Sequence, residues 1–169
     1  MIERMSAKIA NKINHYDSSS DVEVMEYALK ILLNLFSVVL ICFIVGIITN
    51  QLKEIFLAFF SFALLRAFSG GFHFKSLVVC SIISSCVFIF ISFISINLMV
   101  TQLLNIVSLF IVWFRAPVNV HINTQIPRQI LRYFKFVSII IVAINLFVGS
   151  SIFALSYMIQ ALSLLTKRL

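Results

Sequence analysis

From residue 76 to residue 114 the chain carries no charged side chain. As one helix that stretch would be about 58 Å long, against a bilayer hydrocarbon core of about 30 Å. It must therefore turn back on itself, and the polar cluster Asn97, Thr101, Gln102 and Asn105 is where the turn is expected. The run 136–166 poses the same problem, at about 46 Å, and Gly149-Ser150-Ser151 is its natural turn. Residues 31–52 form a further uncharged run that is long enough to span. Residues 55–65 are shorter and span only with their flanks, 51–68; a re-entrant hairpin is the alternative.

These runs predict six helices, at 28–49, 51–68, 76–99, 102–116, 134–148 and 151–166. The fold class is all-α: a polytopic membrane protein with residues 1–169 as a single integral membrane domain. Composition agrees, with 62% hydrophobic and 11% charged residues, whereas a soluble domain is about half apolar and a quarter charged. The net charge is +7. A basic balance suits nucleic acid or a membrane surface, but here the cations sit between apolar runs, so the partner is the lipid bilayer and not nucleic acid. Residues 1–27 are polar, with no short apolar run before an A-x-A-like site, so no cleavable signal peptide is expected.

The N-terminal segment, 1–20, reads as interfacial. Ile2, Met5, Ile9, Ile13 and Tyr16 fall near one helical face, with Glu3, Arg4, Lys8 and Lys12 elsewhere. That pattern predicts an amphipathic helix lying on the membrane; a frayed tail is the alternative. Ser20-Asp21-Val22-Glu23 reads as a capping box opening the first spanning helix.

Charge supports the helix count. Basic residues occupy the N-terminal segment, the second connection (Arg66, Lys75), the fourth (Arg115, Arg128, Arg132, Lys135) and the C-terminus (Lys167, Arg168). The first connection has only Lys53 beside Glu54, and the third and fifth have none. Such alternation places both termini and the second and fourth connections in the cytoplasm under the positive-inside rule. The fourth connection, 115–135, is expected to be a basic loop broken by Pro117 and Pro127.

All six acidic residues lie at or before Glu54. Paired-carboxylate catalysis in the later chain is thereby excluded, and a proton pump, which relies on intramembrane acids, is disfavoured. A transporter or channel would show polar groups within its spans, and the mid-span residues are mainly Ile, Leu, Phe and Val. His73, Cys80 and His121 share no short-range ligand motif, so neither a metal site nor a cofactor is expected. Of the three cysteines, Cys42 and Cys86 read as packing residues.

Cys80 stands in a different setting: Arg66-Ala-Phe-Ser-Gly70-Gly71-Phe-His73-Phe-Lys75-Ser-Leu-Val-Val-Cys80. A thiol near a helix start and beside cations favours the thiolate, and an imidazole can act as base and then as acid to a leaving amine. The double glycine lets the backbone reverse sharply. Were 73–80 one ideal helix, His73 and Cys80 would lie about 10 Å apart along it. The helix must then start after His73, or the pair must work across two chains, which would make a homodimer. A boundary histidine and a thiol inside a helix are also common without chemistry.

The string Arg66-x3-Gly70-Gly71-x-His73-x6-Cys80, with Ala116-Pro117-Val118 and Pro127 further on, resembles the accessory gene regulator B (AgrB) family over essentially the whole chain. Members are membrane cysteine endopeptidases of Gram-positive bacteria that process the precursor of a quorum-sensing peptide pheromone. The resemblance implies Cys80 as nucleophile and His73 as general base, with Arg66, Gly70 and Gly71 shaping the site and Ser69 or Asn119 as guesses for a third member. It implies an amphipathic precursor peptide as substrate. Its acidic tail would meet Lys75, Arg128, Arg132 and Lys135, for which ordinary orientation charge is the alternative. The loop 118–126 departs from the family pattern, being Asn-, His- and Thr-rich without the Asp and Lys of many relatives. The competing function is a non-catalytic membrane assembly or transport protein for a small peptide.

Overall fold

The structure, a computed structural model, describes residues 22–71, 76–118 and 128–166, with Ser6 and Lys12 as isolated positions. Among the described residues there are six helices: α1 (Val22–Thr49), α2 (Leu52–Ser69), α3 (Leu77–Ser92), α4 (Leu98–Arg115), α5 (Arg128–Val148) and α6 (Ser151–Leu165). Three segments are long and apolar enough to cross a membrane, Ala28–Thr49, Leu98–Arg115 and Ile130–Val148. The surface is apolar as well: Phe36, Ile48, Phe90, Met99, Phe114 and Phe147 all lie exposed. A soluble protein does not present contiguous apolar area on this scale; in a bilayer such side chains meet lipid.

Helices α2 and α6 form the centre. α6 packs on α2, α3, α4 and α5, and α2 on α1, α3, α5 and α6. α6 buries Ala154, Ser156, Ala161 and Leu164, and its small residues let neighbouring backbones approach closely. Two apolar clusters follow. Val38, Cys42, Ile55, Phe59 and Phe88 join α1, α2 and α3. Leu65, Val112, Val142, Tyr157 and Leu164 join α2, α4, α5 and α6.

α2 is one uninterrupted helix of 18 residues, so the re-entrant hairpin does not form. The third connection differs from expectation. α3 ends at Ser92, and the chain turns at 93–97, earlier than the polar cluster suggests. Asn97 caps α4 by accepting from the Val100 N–H, while Thr101, Gln102 and Asn105 lie inside α4, with Thr101 and Asn105 buried. Gln102 and Asn105 form a polar seam towards α5: Gln102 donates to the Leu146 carbonyl and Asn105 pairs with Asn145, while Thr101 donates back to the Asn97 carbonyl. Polar side chains satisfied by a neighbouring helix do not need water, which is why a polar cluster here marks a contact and not a loop.

The fifth helix also begins earlier, at Arg128 in place of residue 134. Pro127 directly precedes it in the sequence, and proline breaks a helix only from its interior. Arg132 and Lys135 are therefore helical. The interfacial helix proposed for 1–20 and the capping box at Ser20–Glu23 lie outside the described residues, apart from Ser6, buried, and Lys12, exposed, both helical.

Candidate active site

Cys80 ends the first turn of α3, where its N–H bonds to the Ser76 carbonyl. Ser76 is extended and caps nothing with its side chain, and the positive dipole end of the helix lies near the thiol. Cys80 is half-buried and lines a cavity of about 260 Å³ between α2, α3 and α6. Phe62, Ile83, Val87, Phe88, Ile159 and Leu162 make most of its wall, while Arg66, Cys80, Ser84, Ser163 and Thr166 supply its polar groups. Arg66 stacks on the Phe62 ring, 5.6 Å from its centroid. It lies close enough to Cys80 for their charges to interact.

The Gly70–Gly71 turn closes α2. Gly70 has φ 70° and Gly71 φ 134°, a region that L side chains rarely adopt. Space is short as well: a Cβ on Gly71 would stand 2.7 Å from Ser163 Oγ and 3.3 Å from Gln160 Nε2. Gly71 N–H donates to the Val118 carbonyl at 3.2 Å, and Val118 N–H donates to the Ser69 carbonyl at 3.0 Å. The two sequence elements singled out separately, Gly-Gly and Ala116-Pro117-Val118, thus meet in a short parallel bridge. The Ala116–Pro117 peptide bond is cis.

The structure brings Arg66 and Cys80 into one cavity, and Gly70 and Gly71 adjoin Arg66 through Gln160 without lining that cavity. His73, Lys75 and Asn119 lie outside the described residues. Ser69 is fully buried and accepts a hydrogen bond from Gln160, so it faces α6 and not the cavity. Arg132 is exposed on α5, and Lys135 sits over the Trp113 ring at 5.8 Å; neither lines the cavity. Cys42 is fully buried within reach of Ser85. Cys86 is exposed on α3, so it packs against nothing in the core, contrary to its reading as a packing residue.

Gln160 belongs to no local sequence motif. This α6 residue is fully buried and contacts both the glycine turn and Arg66. A signal exists: Gln160 and Asn145 are the two amides in the uncharged run 136–166, and intramembrane polar groups tend to be functional.

Residues 2–166 match the family described as accessory gene regulator B. Two curated relatives from Clostridium perfringens, a "Putative AgrB-like protein" of strain SM101 and a "Putative AgrB-like protein 2" of strain 13, are each 30% identical over 96 residues. Those residues are 55% of this chain and 44% of each relative, so the chain spans less than half the length of the curated relatives it matches. No solved structure matches it.

Proposed function

The chain belongs to the accessory gene regulator B family, and on that premise we propose that it is a membrane cysteine endopeptidase acting on a peptide pheromone precursor. The observation that carries the reading is Cys80 at a helix start, sharing an otherwise apolar cavity with the Arg66 guanidinium. That setting puts a cation and a helix N-terminus beside the sulfur that would attack.

In the proposed reaction the Cys80 thiolate attacks the carbonyl carbon of a peptide bond near the precursor's C-terminus. An S–C bond forms and the C–N bond breaks, and protonated His73 gives its proton to the leaving amine. The tail departs, leaving an acyl-thioester on Cys80. A Cys thiol or Ser hydroxyl within the precursor then attacks that thioester and passes its proton to His73. A thiolactone or lactone results and the Cys80 thiolate is regenerated; water in the same step gives a linear product. The apolar cavity wall suits an apolar side chain beside the scissile bond and keeps water scarce.

Cys80→Ser and His73→Ala each reduce tail release by about 10³-fold or more, because a hydroxyl is a far weaker nucleophile and loss of the imidazole removes the acid–base group. Cys42→Ser and Cys86→Ser leave it intact. Precursor processing in membranes, at matched protein levels, reads all four. Normal release by Cys80→Ser would leave the non-catalytic assembly or transport role.

The proposed orientation puts both termini and the region 70–80 in the cytoplasm, as the basic connections require. Arg66, Arg115, Arg132 and Lys135 gather at the end of the bundle where Gly70 meets Val118. A probe cysteine at Ser76, in a chain lacking native cysteines, should resist impermeant reagents in intact cells; labelling from outside overturns the orientation.

A further inference from the structure

Gln160 lies on α6, 80 positions from Cys80 in sequence, with its side chain fully buried. Its Nε2 donates to Ser69 Oγ at 2.9 Å and to the Gly70 carbonyl at 2.6 Å. Its Oε1 accepts from Arg66 Nη1 at 3.4 Å and faces Ser163 Oγ at 3.2 Å. The amide orientation is dictated by chemistry: a carbonyl oxygen needs a donor and a guanidinium needs an acceptor. An amide offers both from one planar group; a carboxylate or a thioether offers at most one.

Resting on the peptidase reading above, we propose that Gln160 is a positioning residue for the Cys80 reaction. One half of its amide holds the turn from which the chain runs on to His73. The other half holds the cation that shares the cavity with Cys80. The last helix thereby sets the relation between the base-bearing loop and the charge beside the nucleophile. Gly71 allows the close approach: a side chain there would strike Ser163 and Gln160, so the turn lies directly against the amide-bearing face of α6.

Two substitutions separate the halves. Gln160→Met keeps the length of the side chain and removes both functions. Gln160→Glu keeps an acceptor for Arg66 but aims an acceptor at the Gly70 carbonyl, where a donor is needed. Asn145→Ala is the control, an equally buried amide in the opposite end of the bundle. All are assayed in membranes on the precursor peptide, per mole of folded protein, with kcat and KM resolved. A second readout is the rate of Cys80 alkylation by N-ethylmaleimide in a Cys42→Ser/Cys86→Ser background.

Positioning predicts that Gln160→Met lowers kcat by about 10- to 100-fold, the cost of a misplaced catalytic group, with KM within about twofold. Gln160→Glu also lowers kcat, through the glycine turn alone, and Cys80 alkylation slows in Gln160→Met, where Arg66 loses its acceptor. Asn145→Ala keeps its kcat and its alkylation rate. Should Gln160→Met fail to accumulate, Ser163→Ala reads the same quantity, with a fall of about threefold in kcat expected from loss of one amide contact. Wild-type kcat in the folded Gln160 variants, or in Ser163→Ala, overturns the inference. So does an equal loss of kcat in Asn145→Ala, which would mean that any buried amide matters alike. If Cys80→Ser itself still cleaves, the peptidase reading falls first; if Cys80→Ser is inactive while Gln160→Met is fully active, only the positioning role falls.

Discussion

The bundle has a buried amide near each end, and the two are used differently. At one end Asn145 closes a neutral circuit. It donates to Asn105 Oδ1 and the Ser150 carbonyl, and accepts from the Ser150 N–H, within a turn that Gly149 and the Ser150 cap complete. At the other end Gln160 holds a guanidinium, a turn with two left-handed glycines and a serine, beside a cavity that contains a half-buried thiol. The first arrangement satisfies backbone groups at a helix–helix turn and ties that turn to α4 through Asn105. The second combines two glycines at positive φ with a cation inside a largely apolar cavity, and strained backbone of that kind is a ground for proposing function. On that proposal, burial of a polar group alone does not mark a site.

The comparison breaks most visibly at the glycines. Gly71→Ala combines a forbidden φ with a 2.7 Å clash, a strain of about 1–3 kcal/mol, and should cut tail release by about tenfold or more through displacement of the loop towards His73. Gly149→Ala has φ 66° and meets only the flexible end of Leu98 at 3.1 Å. It should lower thermal stability by about 1 kcal/mol and leave cleavage per folded molecule unchanged. Equal effects on cleavage would erase the distinction between the two ends.

Removing the neutral node gives an effect of similar size on stability and none on chemistry. Asn145→Ala leaves the Ser150 N–H and Asn105 Oδ1 without their partner, at a cost of about 1–2 kcal/mol. Thermal inactivation in detergent at matched expression measures it. A selective fall in kcat would place function at the wrong end. The smallest effect concerns the basic end away from the cavity. Replacing Arg128, Arg132 and Lys135 together with Gln should raise KM for a precursor with an acidic tail by a few-fold, since exposed ion pairs contribute about 1 kcal/mol or less each. Unchanged KM in a correctly inserted variant would assign these residues to orientation alone.

Helix number and type were legible in the sequence because uncharged runs of this length admit few arrangements. Arg66, the glycine pair and Cys80 were legible because special chemistry sits at short spacing. The turn between α3 and α4 was not, since Thr101, Gln102 and Asn105 read as water-seeking until the partner helix supplies Asn145 and the Leu146 carbonyl. The start of α5 was obscured by Pro127, which breaks a helix from within but stands before Arg128 in the chain. Gln160 was hidden for a third reason. Its partners on α2 and at the glycine turn lie 90 or more positions away in the chain, and no local pattern carries that pairing.

The central claim is covalent and can be tested as such. Membranes containing the protein are incubated with precursor peptide, quenched in acid and analysed by intact mass and by peptide mapping. The account predicts an adduct equal to the precursor without its tail, attached at Cys80 and released by hydroxylamine as a thioester. It predicts no adduct in Cys80→Ser and none at Cys42 or Cys86. Tail release at a normal rate with no adduct at Cys80, or with Cys80→Ser in place, would contradict it.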